Sequence, residues 1–290
     1  MITYNPKNWI QLIFAFHRSD TFRILIPAML GIALYTALVA YVEIEILDMR
    51  FKSSVTMHSL MGFVLSLLLV FRTNTAYDRW WEGRRLWGTF VNHSRSLTMK
   101  VHSFLPADAK DERERYRVLL SNYFFACRDH LRQQKTNDDW ISHPDIDNVA
   151  FLSKQHVPNA LLLELTKLIN SFEVRGLMDK TRLLMLNEEL RSLAESLGAC
   201  ERIRNTPIPY SYSMFLKKII FFYTLTMPFG FVTDFKYVMI PIIIFIFYVF
   251  TSIELLAEEI EDPFGTDVND LPTDELAGRI GSGIKEILES

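Results

Sequence analysis

Seven histidines and two cysteines are the side chains best suited to hold a metal or pass a proton, and their spacing favours neither. The histidines are scattered, with no HExxH and no pair at ligand spacing beside a cysteine. No GxSxG elbow, phosphate-cradling glycine loop or dinucleotide fingerprint occurs. Cys127 and Cys200 make no redox or metal motif and are expected to be buried thiols of a reducing compartment. Carboxylates are common but form no defensible acid–base pair. These residue patterns argue against an enzyme.

The spacing that does carry information is apolar. Phe63, Leu67 and Phe71 lie four residues apart and stack along one side of a helix. Rings of such side chains around a shared axis gate ions by dewetting, whereas the same spacing on a lone helix simply faces lipid. Ser59, Gly62 and Ser66 form a neighbouring small-residue face that lets helices approach closely; if it packs against another subunit, the Phe63, Leu67 and Phe71 stripe turns towards a shared axis. The run continues as RTNTAYDRWWEGRRLWG, in which arginines and acids alternate with Tyr77, Trp80, Trp81 and Trp87. Arginine stacks on aromatic rings and forks onto carboxylates. Farther on, Glu254, Glu258 and Glu261 recur at helical spacing, with Glu259 and Asp262 beside them. Carboxylates at a helix C-terminus face the negative end of the macrodipole. Compensation is expected from arginines of the RWWEGRR helix, of the same or an adjacent subunit, or from a bound cation, with a solvated acidic face as the alternative. His58, near the outer end of its span, is expected to be a neutral, hydrogen-bonded imidazole, with pH sensing as the alternative.

The elements that must position these residues are membrane spans, each needing about 20 apolar residues. Ile24–Val42 and Val55–Phe71 form a first hairpin. Ile219–Val232, which looks short and broken by Pro228 and Gly230, pairs with the run starting at Tyr237. Lys7, Arg18 and Arg23, the arginines after Phe71, and Lys217 with Lys218 all fall on one side if the spans alternate. Both termini are then cytoplasmic, with Arg50 and Lys52 outnumbered on the outer loop. Between the hairpins, Arg72 to Lys218 repeats apolar residues every three or four positions. Breaks fall at Leu105-Pro106, around TNDDWISHPDID, and at TPIP. No alternating strand pattern or internal repeat is evident. The fold class is all-α: an integral membrane protein with four transmembrane helices and a helical cytoplasmic domain. The expected division is 1–71 (N-terminal segment and first hairpin), 72–214 (cytoplasmic domain), 215–256 (second hairpin) and 257–290 (C-terminal segment). A net charge of -3 argues against a nucleic-acid partner. The N-terminus lacks the features of a signal peptide.

Three motifs in fixed order relative to the four spans, YDRWWEGRRLWG, ERIRNTPIPYSY and EDPFGTDVND, resemble the bestrophin family of ion channels in its short bacterial branch. The resemblance implies a homopentamer in the cell inner membrane, with one axial pore through the membrane and cytosolic domains. It places the three apolar rings of the neck on Phe63, Leu67 and Phe71. It puts a second constriction at Ile208, with Thr206 as second choice. In animal members an acidic run after the NPFG motif clasps calcium. Asp267 and Asp270 match that run, Val268 and Asn269 interrupt it, and Asp262 replaces an asparagine. A hard cation would need further oxygen ligands there, so calcium dependence is doubtful and no cofactor is expected. The bacterial branch implies monovalent cations such as sodium and potassium as the permeant ions, with an anion channel as the alternative. A membrane-anchored scaffold or sensor is the rival from another class. A secondary transporter is disfavoured, because no inverted repeat of broken helices is evident.

Overall fold

The computed structural model describes residues 20–46 and 55–290. Lys7, Arg18, Arg50 and Lys52, used above to orient the spans, lie outside the described residues. Among those described, the regular structure is helical, with one isolated bridge between His143 and Ile146 and no strand.

The chain divides into two compact units. One contains the described residues up to Arg79 together with Pro207–Glu261. Its elements are α1 (Asp20–Tyr41, ending in a π turn, Val42–Ile46), the first half of α2 (Val55–Phe104), α8 (Tyr210–Phe235) and α9 (Met239–Glu261). Three apolar stretches are long enough to cross a membrane: Thr21–Ile46, Thr56–Phe104 and Tyr210–Glu261. The third turns back on itself at the short 3-10 segment Lys236–Val238, where Lys236 has φ 49°, so four helices carry the apolar sequence. Their shared core includes Ile32, Leu65, Leu69, Ile220, Tyr223, Met227 and Ile243.

One expectation changes here. The span expected to break at Pro228 is one helix running to Phe235. Proline removes one backbone donor and crowds the preceding turn. Apolar surroundings offer the freed carbonyls no water, so the helix persists where neighbours re-satisfy them. Tyr35 donates its hydroxyl to the Leu225 carbonyl, in the turn before Pro228, at 2.9 Å. On the small-residue face of α2, Gly62 packs within the chain, while Ser59 and Ser66 are exposed. A Cβ on Gly62 would lie 2.7 Å from the Tyr223 hydroxyl, so only glycine lets α8 come this close.

The other unit is Trp80–Thr206 with Asp262–Ser290. It holds the second half of α2, then α3 (Lys110–Leu131), α4 (Asn148–Leu152), α5 (Val157–Val174), α6 (Lys180–Leu184), α7 (Asn187–Asn205) and α10 (Thr273–Glu289). The breaks at Leu105-Pro106, around TNDDWISHPDID and at TPIP all separate helices. Trp87, Phe90, Tyr123 and Phe124 form a fully buried aromatic centre, with Phe90 and Phe124 ring centroids 5.5 Å apart and tilted edge to face. Aromatic pairs favour such edge contacts. Cys127 and Cys200 are free thiols in this core, and burial raises the pKa of both, keeping them protonated. At its edge Arg128 bonds Asp129 and Asp139 at 2.7 Å each, and Arg132 grips Asp274 with two bonds of 2.8 and 2.7 Å. The second grip ties the start of α10 to the end of α3 and holds the Asp274 carboxyl below the usual carboxylate range.

Candidate functional site

α2 is a single helix of 50 residues. At 1.5 Å per residue it is about 75 Å long, well over twice a hydrocarbon core of about 30 Å. Its apolar half has two contrasting faces. Leu65, Leu69, Arg72 and Ala76 are buried against the other helices of their unit. Phe63, Leu67 and Phe71 point the other way and are 62%, 44% and 63% exposed. An aromatic stripe left uncovered by its own chain must meet lipid, a second copy or an ion path.

Immediately after Phe71, the guanidinium of Arg72 is only 1% exposed. Its Nη1 lies 2.7 Å from Oε2 of Glu261, and its Nε lies 3.6 Å from the buried Glu254. The other oxygen of Glu261, Oε1, accepts the backbone N–H of Ile208 at 2.6 Å. The Glu261 carbonyl, near the end of α9, accepts from Arg79 Nε at 3.1 Å. Glu258 pairs with Lys217 at 2.8 Å. Glu254, Glu258 and Glu261 are therefore each met by a cation of the same chain. Arg72 and Lys217 meet the side chains, and Arg79 meets the backbone. One sequence signal pointed to the first pair. Arg72 and Glu254 are each the first Asp, Glu, Lys or Arg after a long apolar run, and isolated opposite charges at the edges of two spans tend to pair.

The RWW and DPFG motifs meet each other in the second unit. A Cβ on Gly83 would come within 3.1 Å of Phe264 and 3.2 Å of Pro263, and Trp80 donates its indole N–H to the Asn269 carbonyl at 3.0 Å. The following loop closes on itself. Asp270, 2% exposed, accepts the Asp267 N–H on Oδ2 at 2.7 Å, while Asp262 and Asp267 are exposed. A Cβ on Gly265 would lie 2.6 Å from that same oxygen, which explains the glycine. The three aspartates do not gather into a shared site. Among the described residues, the metal-type donors that converge within 4.8 Å are His130, His156 and Glu201. Thr206 caps α7, its hydroxyl donating to the Arg202 carbonyl, and is exposed. His58 packs edge-on against Phe231, with its Nδ1 lacking a hydrogen-bond partner among the described residues.

The His130 cluster comes from three helices far apart in sequence, so no spacing rule could reveal it. Glu201 Oε1 lies 2.8 Å from His130 Nε2 and 2.7 Å from His156 Nε2. His156 Nδ1 accepts the Asn159 N–H at 3.2 Å as the cap of α5. Its proton is thereby assigned to Nε2, facing Glu201. The cluster is a hydrogen-bonded bracket joining α3, α5 and α7, and that tautomer leaves His156 no lone pair for a metal. Burial, with His156 alongside, lowers the His130 pKa. A cavity of about 500 Å³ beside Arg115, Asp145, Glu164 and Lys167 is lined by charges of both signs and lacks a nucleophile–base pair.

Comparison with known proteins fits this geometry. The family model for the bacterial and fungal bestrophin proteins matches residues 1–286. A protein of Ralstonia nicotianae named voltage-dependent anion channel-forming protein RSc3414 is 31% identical over 294 residues, 99% of this chain and 94% of that protein. The voltage-dependent anion channel-forming protein YneE of Escherichia coli K12 is 31% identical over 287 residues, 97% and 91% of the two chains. The crystal structure of a bacterial bestrophin homologue from Klebsiella pneumoniae matches with a TM-score of 0.82 at 28% identity, covering 92% of this chain and 99% of that one. On a match that spans almost the whole sequence, the chain belongs to the bestrophin family and is an ion-channel protein rather than an enzyme.

Proposed function

We propose that the protein is a subunit of an anion channel, a homopentamer of the cell inner membrane with cytoplasmic termini, in which Phe63, Leu67 and Phe71 form the neck. The observation that carries the neck is the exposed stripe itself, three bulky apolar side chains on one face of a helix whose other face is packed. Five such stripes around an axis give three apolar rings that hold back water and ions until they widen. Ile208 forms the second constriction. Monovalent cations were the sequence expectation; the names of relatives 31% identical across the chain move the choice to anions. Aromatic edges carry partial positive charge, so phenylalanines turned edge-on suit an anion. Conduction does not require calcium, a reading supported by an Asp262–Asp270 loop whose one buried carboxylate already holds a backbone N–H.

The test is the reversal potential of the purified protein in a planar bilayer under a sodium chloride gradient, scanned at both voltage signs. A value near the chloride equilibrium potential is expected. A value near that of sodium overturns the ion choice and keeps the channel. Silence from a confirmed oligomer overturns conduction and favours a membrane-anchored scaffold.

A further inference from the structure

We infer that Glu261 is the positioning residue that sets the Ile208 constriction and ties it to the last ring of the neck; this rests on the pore assignment above. Ile208 sits between Pro207 and Pro209, which have no N–H. The Ile208 amide is thus the one backbone donor in that tripeptide, and it goes to Glu261 Oε1. Prolines on both sides already restrict the local dihedrals. A single well-placed hydrogen bond therefore suffices to fix where the isoleucine side chain stands.

The same carboxylate reaches the neck. Its other oxygen meets Arg72, the residue directly after Phe71, and Arg72 is held in turn beside Glu254. Arg79, two turns farther along α2, grips the Glu261 carbonyl. Both the side chain and the backbone of Glu261 are thereby anchored to the helix that carries the neck. The carboxylate is largely buried, so water competes weakly both for its ion pair with Arg72 and for its charge-assisted hydrogen bond from Ile208. Any rotation or shift of α2 at Phe71 displaces Arg72 and Glu261, and through them Ile208. The two constrictions move together.

The test reads the permeability ratio between a small and a larger monovalent ion of whichever sign carries the current. Four proteins are compared: wild type, Ile208→Ala, Glu261→Gln and the double variant. Glu261→Gln keeps an acceptor for the Ile208 N–H and removes the charge that holds Arg72. We expect Ile208→Ala and Glu261→Gln to shift the ratio in the same direction. In the Ile208→Ala background the second change should add nothing, a non-additivity of about twofold or more. A merely structural Glu261 would lower the melting temperature and the number of channels but leave the ratio unchanged. If Ile208→Ala leaves the ratio unaltered, the constriction assignment falls. If Ile208→Ala shifts it and Glu261→Gln does not, or if the two effects simply add, the positioning role falls. Should Glu261→Gln fail to assemble, Arg72→Lys replaces it, keeping the charge and losing the two nitrogens that face Glu261 and Glu254. An unchanged ratio there overturns the tether equally.

Discussion

Gly83 and Gly88 share one helix, and alanine at either position gains the same intrinsic term, about 1 kcal/mol for replacing glycine inside a helix. Their surroundings differ. A Cβ on Gly88 meets only the end of Arg84 at 3.8 Å, an ordinary contact. On Gly83 it meets Phe264 at 3.1 and 3.2 Å and Pro263 at 3.2 Å. Phe264 is fully buried and Pro263 has a rigid ring, so neither swings aside freely. Overpacking of this kind costs about 1–3 kcal/mol. Gly88→Ala should therefore stabilise by about 1 kcal/mol, and Gly83→Ala should fall between no change and about 2 kcal/mol of loss. In thermal melts of the detergent-solubilised protein, each kcal/mol corresponds to about 2–4 °C for a chain of this order of size. The two variants should then differ by about 2–12 °C, with Gly83→Ala lower. Equal stabilisation by both would refute the view that Gly83 is there so that the DPFG loop can dock on α2.

Leu67→Ser makes one ring of the neck polar, so bilayer current at rest should rise if dewetting limits flux; an unaltered current removes Leu67 from the gate. Burial lowers the proton affinity of His130, so below the usual histidine range of about 6.5 the unfolded chain binds more protons than the folded one. Stability is then complete above that pH and declines as pH falls through it, and the melting temperature should drop between about pH 7.5 and about pH 5.5. His130→Gln should flatten that drop, and an equally steep one would assign it to other groups. Stripping calcium with a chelator should leave the bilayer current unchanged, since the Asp270 carboxylate is engaged with the Asp267 amide. A loss of current restored by added calcium would reverse that expectation.

The four apolar helices were legible because lipid permits little else: long uncharged runs that satisfy their own backbone. The helical block was legible from its three-to-four-residue periodicity, and its breaks from Pro106, Pro207 and Pro209. Harder features depended on partners distant in sequence. Pro228 reads as a break until the helix is seen to run on to Phe235, with Tyr35 bonded to Leu225, 190 residues away, in the turn before it. Gly62 reads only as one of a run of small residues until Tyr223 is found above it. Three residues on three helices form the bracket at Glu201, and no local pattern announces it. Ion choice was not legible for a different reason. It depends on how rings and charges are presented around an axis, and one chain's residue order does not encode that presentation.

Burying Arg72 with two carboxylates is a poor way to gain stability, since desolvating the charges offsets most of their attraction and apolar replacements often do as well. Its value is better sought in register. Arg72 marks where α2 turns from apolar to charged, and Glu254 marks the same transition in α9, after an uncharged run from Met239. Slipping either helix by one residue moves its charge about 1.5 Å along the axis and turns it by about 100°. An apolar contact would tolerate that slip, and a buried guanidinium between two carboxylates would not. The pair thus fixes the depth and rotation of α2 at the residue after Phe71. A neck built from side chains four residues apart needs that fixation, because a rotation of one residue would turn Phe63, Leu67 and Phe71 off a common line and replace them by Val64, Leu68 and Arg72.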